Sequence, residues 1–195
     1  MAFNVNEFRN KLTNGGARPS QFEMQITWPD AVRGAGLVSS AERDFRFLCQ
    51  ISEIPASTIG DINIPYFGRK IKVAGDRSFG TLSLQVINDE DFKVHKALNI
   101  WSRAMTEHQT VISQFPGGVA SGSYATDGIV IQYSRNSGGS PLHAWKYVGM
   151  FPTSIGKIDL DWNTTDEIER FTVDFDYQWW EEVDASTGAT ISVNM

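Results

Sequence analysis

"RKIKVAGDRSFGTLSLQV", Arg69 to Val86, joins two strings of alternating apolar residues through Ala74-Gly75-Asp76-Arg77. A carboxylate beside a guanidinium can be catalytic chemistry or the bend of a hairpin, and both fold and function hang on which it is. Gly75 tolerates positive φ, Asp76 can bond its own nearby backbone, and alternating runs flank both. A carboxylate held next to a guanidinium favours its charged form and makes a poor general base. The stretch therefore reads as a hairpin bend with a charge pair at its tip or root, and as a candidate contact.

Working outward, period-two alternation dominates. Phe22, Met24, Ile26 and Trp28 share one face of "FEMQITW", which Pro29-Asp30 stops. The Gly- and Ser-bearing "AVRGAGLVSSAERD" reads as a loop, and Phe45, Phe47, Cys49 and Ile51 then alternate as a strand. "INIPYF", "RKIKVAG" and "TLSLQVI" follow, the last with Leu82, Leu84 and Val86 on one face. Alternation resumes in "GIVIQYSR", "AWKYVGMF" and "IGKIDLDW", and runs longest in "IERFTVDFDYQWW". There Phe171, Val173, Phe175, Tyr177 and Trp179 oppose Thr172, Asp174, Asp176 and Gln178.

One segment changes period. In "DEDFKVHKALNIWSRAMTEH", Phe92, Val94, Leu98, Trp101 and Met105 fall on one helical side, with Asp89, Glu90 and Asp91 at the dipole's positive end. The spacing predicts a helix over about 90–106. Residues 113–128 read as loop, and "DASTGATISVNM" as a loose tail or arm. About eight strands and a single helix fit a mainly β, single-domain barrel or sandwich, with no βαβ alternation.

Composition narrows the class. At 195 residues, 41% hydrophobic and 21% charged, the chain suits one soluble globular domain over residues 1–195. Its net charge of −6 leaves no basic footprint for tight nucleic-acid binding. Cys49 is the one cysteine, so no intrachain disulfide or cysteine-based zinc site can form, and its strand context reads as a buried thiol. The N-terminal "MAFNVNEFRNKL" lacks the apolar region of a secretory signal, and no apolar run reaches the roughly 18 residues of a membrane span.

The search for chemistry yields little. His95, His108 and His143 lie in different segments, and no Walker loop, nucleophile elbow or H-E-x-x-H is present. Asp159/Asp161, Asp174/Asp176 and Glu181/Glu182 could be glycosidase pairs. Their i, i+2 spacing or strand-end position reads instead as solvated faces. Trp145, Trp162, Trp179 and Trp180 could form a sugar platform but fall mostly on core faces. No catalytic residue, metal ligand or cofactor is expected.

A series of motifs nevertheless carries a resemblance. "ARPSQF" (Ala17 to Phe22), "FLC" followed by Pro55, "IPYFGRKIKVAGDRSF" (Ile64 to Phe79) and "VINDE" (Val86 to Glu90) come in order. After the helix with Trp101 come "QYSR" (Gln132 to Arg135), "FPTSIGKIDLDW" (Phe151 to Trp162) and "DEIERFTVDF" (Asp166 to Phe175). Over about residues 17–181 the chain resembles the tail tube proteins of contractile-tailed bacteriophages. The specific part is the block R-K-I-x-V-A-G-D-R-x-F followed by P-T-x-x-G-x-x-x-L-D-W.

The resemblance implies a small β-barrel with a flanking helix and an extended hairpin, assembled into hexameric rings that stack as a hollow tube. It implies a sheath outside, baseplate and terminator proteins at the ends, and a tape measure protein and then double-stranded DNA in the lumen. It places the chain in the virion, assembled in the host cytoplasm, without membrane anchoring, enzymatic activity or cofactor. Carried onto this sequence, the hairpin is Ile59 to Phe79, and Phe67, Arg69, Lys70, Asp76 and Arg77 become candidate interface residues. The 29–43 loop and the residues from 182 to 195, a C-terminal arm, have no counterpart in the motif series. A tube of a phage-derived injection system and a carbohydrate-binding baseplate module are the competing readings.

Overall fold

A computed structural model describes residues 4–12, 15–33, 38–108, 115, 123–135 and 139–185. The chain runs α1 (Val5–Lys11), β1 (Phe22–Ile26), α2 (Asp30–Arg33), α3 (Val38–Leu48), β2 (Cys49–Ile51), β3 (Ser57–Tyr66) and β4 (Arg69–Phe79). It continues β5 (Leu82–Ile87), α4 (Lys93–Met105), β6 (Thr126–Tyr133), β7 (Pro141–Ile155), β8 (Arg170–Asp176) and β9 (Trp179–Val183). Most of the expected 113–128 loop, and the arm beyond residue 185, lie outside the described residues.

The main sheet is antiparallel in the order β1-β6-β7-β8-β5-β2, with β9 also on β7. It curls into a nearly closed barrel because β7 changes partner along its length. Ala144–Val148 pairs with β9, and Phe151–Ile155 pairs with β8. Strict alternation turns Met24, Ile26, Leu82, Leu84, Val86, Phe171, Val173 and Phe175 inward, all buried. Their alternate neighbours Asp174 and Asp176 face outward and accept hydrogen bonds from the Ser83 and Thr81 hydroxyls.

Helix α4 closes this core with the stripe Val94, Ala97, Leu98, Trp101 and Ala104. Trp101 meets Trp28 and Phe175 at ring-centroid distances of 5.6 and 6.1 Å, and its indole donates to the Tyr124 carbonyl at 2.8 Å. The expected helix is present, but Asp89 to Asp91 precede it instead of forming its first turn. Asp89 still accepts from the Lys93 amide at 3.3 Å.

Four readings need correction. The 29–43 segment carries α2 and the start of α3 in place of a continuous loop. Phe45 and Phe47 belong to α3, not to a strand; Ala41, Phe45 and Leu48 recur at helical spacing, which buries Ala41 and Phe45 and leaves Phe47 exposed. Only Cys49–Ile51 is strand, and burial pushes the Cys49 thiol up to about 12, as an inert buried thiol requires. "IGKIDLDW" leaves the sheet after Ile155, and "IERFTVDFDYQWW" is two strands, since the chain breaks at Tyr177-Gln178 before rejoining β7 as β9.

Helix α3 is tied to β1 by one polar knot. Glu23 accepts from Arg46, from Gln25 at 2.7 Å and from the Tyr133 hydroxyl at 3.1 Å. Burial alone would raise this carboxyl, but the hydrogen bonds from Arg46, Gln25 and Tyr133 outweigh it and hold Glu23 below its ordinary value.

Two expectations follow for stability. Trp101→Ala should lower the free energy of unfolding by about 3–5 kcal/mol in a denaturant titration, whereas Trp162→Ala, at a fully solvated ring, should change it by less than about 0.5 kcal/mol. The Glu23 contribution should be fully present above the ordinary glutamate value of 4.5 and disappear as pH falls through its lower folded value. A pH series of melts should therefore show Glu23→Gln removing part of the acid limb; an unchanged limb would contradict the knot.

Candidate functional site

The groups that could have done chemistry are occupied in the fold. Asp159 pairs with Lys157 at 2.8 Å, Asp161 accepts from the Asn163 amide at 2.9 Å, and Glu181 accepts from the Trp179 indole at 3.1 Å. His143 lies 3.6 Å from Glu182, and half-buried His95 stacks edge-on against Phe171, with burial lowering its pKa. Among the described residues no group of three His, Cys, Asp or Glu could hold a metal ion. Of the four tryptophans considered as a platform, Trp145 and Trp180 pack against the core. Trp179 is half exposed, and Trp162 is 99% exposed, contrary to its expected core position.

The outstanding surface is the hairpin. Among the described residues β3 and β4 pair only with each other, in register Ile62↔Val73, Ile64↔Ile71 and Tyr66↔Arg69. One face carries Ile62, Ile64, Tyr66, Ile71 and Val73, each 44–61% exposed. The other carries Asp61, Asn63, Lys70 and Lys72, with Lys72 Nζ 3.0 Å from Asp61. A lone two-stranded ribbon is marginal in water, and an unpartnered apolar face makes it more so. Its root is nevertheless fixed: Phe79 packs on Tyr177 at 6.1 Å, and the Trp180 indole donates to the Ala56 carbonyl at 3.3 Å.

The bend is not at Ala74-Gly75-Asp76-Arg77. Those residues run through β4, and the chain reverses at Phe67-Gly68, with φ of 44° and 79°. Positive φ at both central residues is the type I′ turn that suits strand twist. Gly75 is needed for space, not for handedness: a Cβ there would lie 3.1 Å from the Gly60 carbonyl oxygen, at a register shift between Ile59 and Asp61. Gly75-Asp76 thus marks a bulge opposite Gly60, and Arg77 resumes regular pairing with Ile59. "RKIKVAGDRSF" looked like a bend because glycine beside aspartate signals turns and bulges alike.

The five candidate residues do not converge. Phe67, Arg69 and Lys70 gather at the tip, while Asp76 and Arg77 lie near the root, about 23 Å along the strand at roughly 3.3 Å per residue. Phe67 holds a left-handed conformation rare for a bulky residue, and its ring is 93% exposed against the edge of Tyr66 at 4.7 Å. Neither strain nor exposure serves the isolated fold, which is the pattern expected of a contact residue.

A second surface uses residues that the sequence offered as a carboxylate pair and an aromatic platform, Asp159/Asp161 and Trp162, and not as a contact. Residues 157–170, between β7 and β8, border an open cleft of about 790 Å³. Leu160, Trp162 and Ile168 are 80, 99 and 65% exposed there, among Asp159, Asp161 and Glu167.

Comparison with known proteins matches this architecture. A family model described as phage tail tube protein matches residues 17–183. Tail tube protein gp19 of Enterobacteria phage T4 is 28% identical over 165 residues, covering 85% of this chain and 91% of that protein. Two cryo-electron-microscopy structures share the fold. One is a chain of the anti-feeding prophage baseplate, 6-fold symmetrised, with a TM-score of 0.57 at 13% identity, covering 87% of this chain and 97% of that one. The other is a chain of an extracellular contractile injection system, PVC sheath/tube terminator in the extended state, with a TM-score of 0.56 at 12% identity, covering 84% and 94%.

The strained turn yields a direct test. Asn-Gly is the favoured I′ pair, so Phe67→Asn should stabilise the free hairpin by about 1 kcal/mol, seen as slower amide hydrogen exchange across β3 and β4. Faster exchange would show that the Phe67 ring supports the hairpin from within.

Proposed function

The chain belongs to the phage tail tube protein family, and from that premise we propose that it assembles head to tail into hexameric rings stacked as the inner tube of a contractile tail. It is a structural protein of the phage virion. The observation that carries the assembly is the hairpin: an apolar face on a rigid root that stays exposed among the described residues. Burying it against a neighbouring copy is worth on the order of 1 kcal/mol per side chain, repeated at every subunit. Phe67, Arg69 and Lys70 at the tip are the interface residues, with Asp76 and Arg77 shaping the root.

Residues 1–195 act as one tube domain; Glu182 and Val183 pair with β7 as part of β9, so the C-terminal arm is confined to the residues after them. A sheath surrounds the tube, and baseplate and terminator proteins meet its ends, as the structural neighbours suggest. The lumen holds a tape measure protein and then passes double-stranded DNA. A net charge of −6 suits that role, because an acidic wall repels phosphates and DNA slides without sticking. The subunit performs no catalytic step and carries no cofactor. The tube of a protein-injecting machine would share this fold; the higher identity to a phage tail tube protein favours the phage.

Negative-stain electron microscopy of the concentrated protein should show hollow tubes or six-fold rings. Ile64→Lys with Ile71→Glu, a directly opposed pair on the exposed face that still attracts across the ribbon, should abolish them while shifting the monomer's stability by less than about 0.5 kcal/mol. Tubes of normal length from this variant would refute the hairpin's role.

A further inference from the structure

The hairpin and the cleft beside residues 157–170 are complementary in chemistry. From Ser57 to Phe79 the ribbon has four cations (Arg69, Lys70, Lys72, Arg77) and two anions (Asp61, Asp76), a net +2 in a chain of net −6. Two of the cations, Arg69 and Lys70, flank the exposed Phe67, and Lys72 lies further down the ribbon beside Asp61. From Lys157 to Arg170 the chain has two cations (Lys157, Arg170) and five anions (Asp159, Asp161, Asp166, Glu167, Glu169), a net −3. The surface is apolar as well as acidic, because Leu160, Trp162 and Ile168 stand in solvent around an open cleft. An aromatic and aliphatic centre within an acidic rim is what an aromatic tip flanked by lysine and arginine would fill.

Resting on the tube reading, we propose that this cleft receives the hairpin of a second copy of the chain. The tip ring of Phe67 seats near Trp162, and Arg69 and Lys70 face the carboxylates of the 157–170 segment. The two surfaces are different patches of one molecule, so the contact is heterologous. Each such contact leaves one hairpin and one cleft free, so it can propagate as a ring or a filament, which is the symmetry a tube needs. The same contact accounts for two otherwise costly features. One is a bulky residue in left-handed backbone at the turn, and the other is a fully exposed indole on a segment that has left the sheet.

Charge exchange tests the pairing. One variant carries Arg69→Glu with Lys70→Glu, another Asp166→Lys with Glu167→Lys, and a third all four; every site is exposed, so near-ultraviolet circular dichroism of the monomer should be unchanged. Sedimentation should show that each two-site variant needs at least about tenfold more protein than the parent to assemble, and that the four-site variant recovers to within about threefold. A cleft variant that assembles like the parent overturns the docking site. A four-site variant no better than the worse two-site one overturns the pairing while leaving both surfaces as interfaces of the tube. A parent chain that never assembles overturns the tube reading itself.

Discussion

An amphipathic β-ribbon left uncovered by the described residues is the constraint on which the rest of the structure turns. Two strands alone do not hold a hydrophobic face in water, yet β3 and β4 extend ten and eleven residues with Ile62, Ile64, Tyr66, Ile71 and Val73 exposed. Such a surface is a liability in a monomer and an asset in a polymer. The strained Phe67 turn and the Gly60–Gly75 bulge shape the ribbon, giving it a projecting tip and a bend near the root.

The remainder of the fold can be understood as a rigid mount for that ribbon. The curled sheet, closed by α4 through Trp101, Trp28 and Phe175, fixes β5 and β8. Strand β5 follows the hairpin directly, and Tyr177 at the end of β8 packs on Phe79. Upstream, the Tyr147 hydroxyl donates to the Glu53 carbonyl at 2.8 Å, and the Trp180 indole donates to the Ala56 carbonyl, clamping the segment that enters β3. Packing in the barrel therefore sets where the ribbon points. Propagating a repeated contact into a tube requires that kind of fixed geometry, since small angular errors accumulate along a stack.

Much of this was legible in the sequence where one periodicity prevailed. The inward faces of β1, β5 and β8 follow from alternation, and α4 follows from the spacing of Val94, Leu98 and Trp101. Phe45, Phe47 and Cys49 misled because three residues at i, i+2, i+4 fit a strand, while Phe45 also belongs to a helical stripe with Ala41 and Leu48. The turn was misplaced because Gly-Asp is a stronger turn signal than Phe-Gly, and no local rule favours phenylalanine at positive φ. The 157–170 segment alternates in "KIDLDW" yet pairs with no strand among the described residues. Whether an alternating run joins a sheet depends on a neighbour that the sequence does not name. Of the five candidate contact residues, three gather at the hairpin tip because they form or flank the true turn, Asp76 lies in the bulge, and Arg77 pairs with Ile59 beside it.

The central claim is that the apolar face of the ribbon is buried between copies of this chain. A cryo-electron-microscopy reconstruction of the assembled protein reads that directly. The account predicts Ile62, Ile64, Tyr66, Ile71 and Val73 packed against a neighbouring subunit at every repeat. A polymer held together elsewhere, with that face still open to solvent, would contradict it.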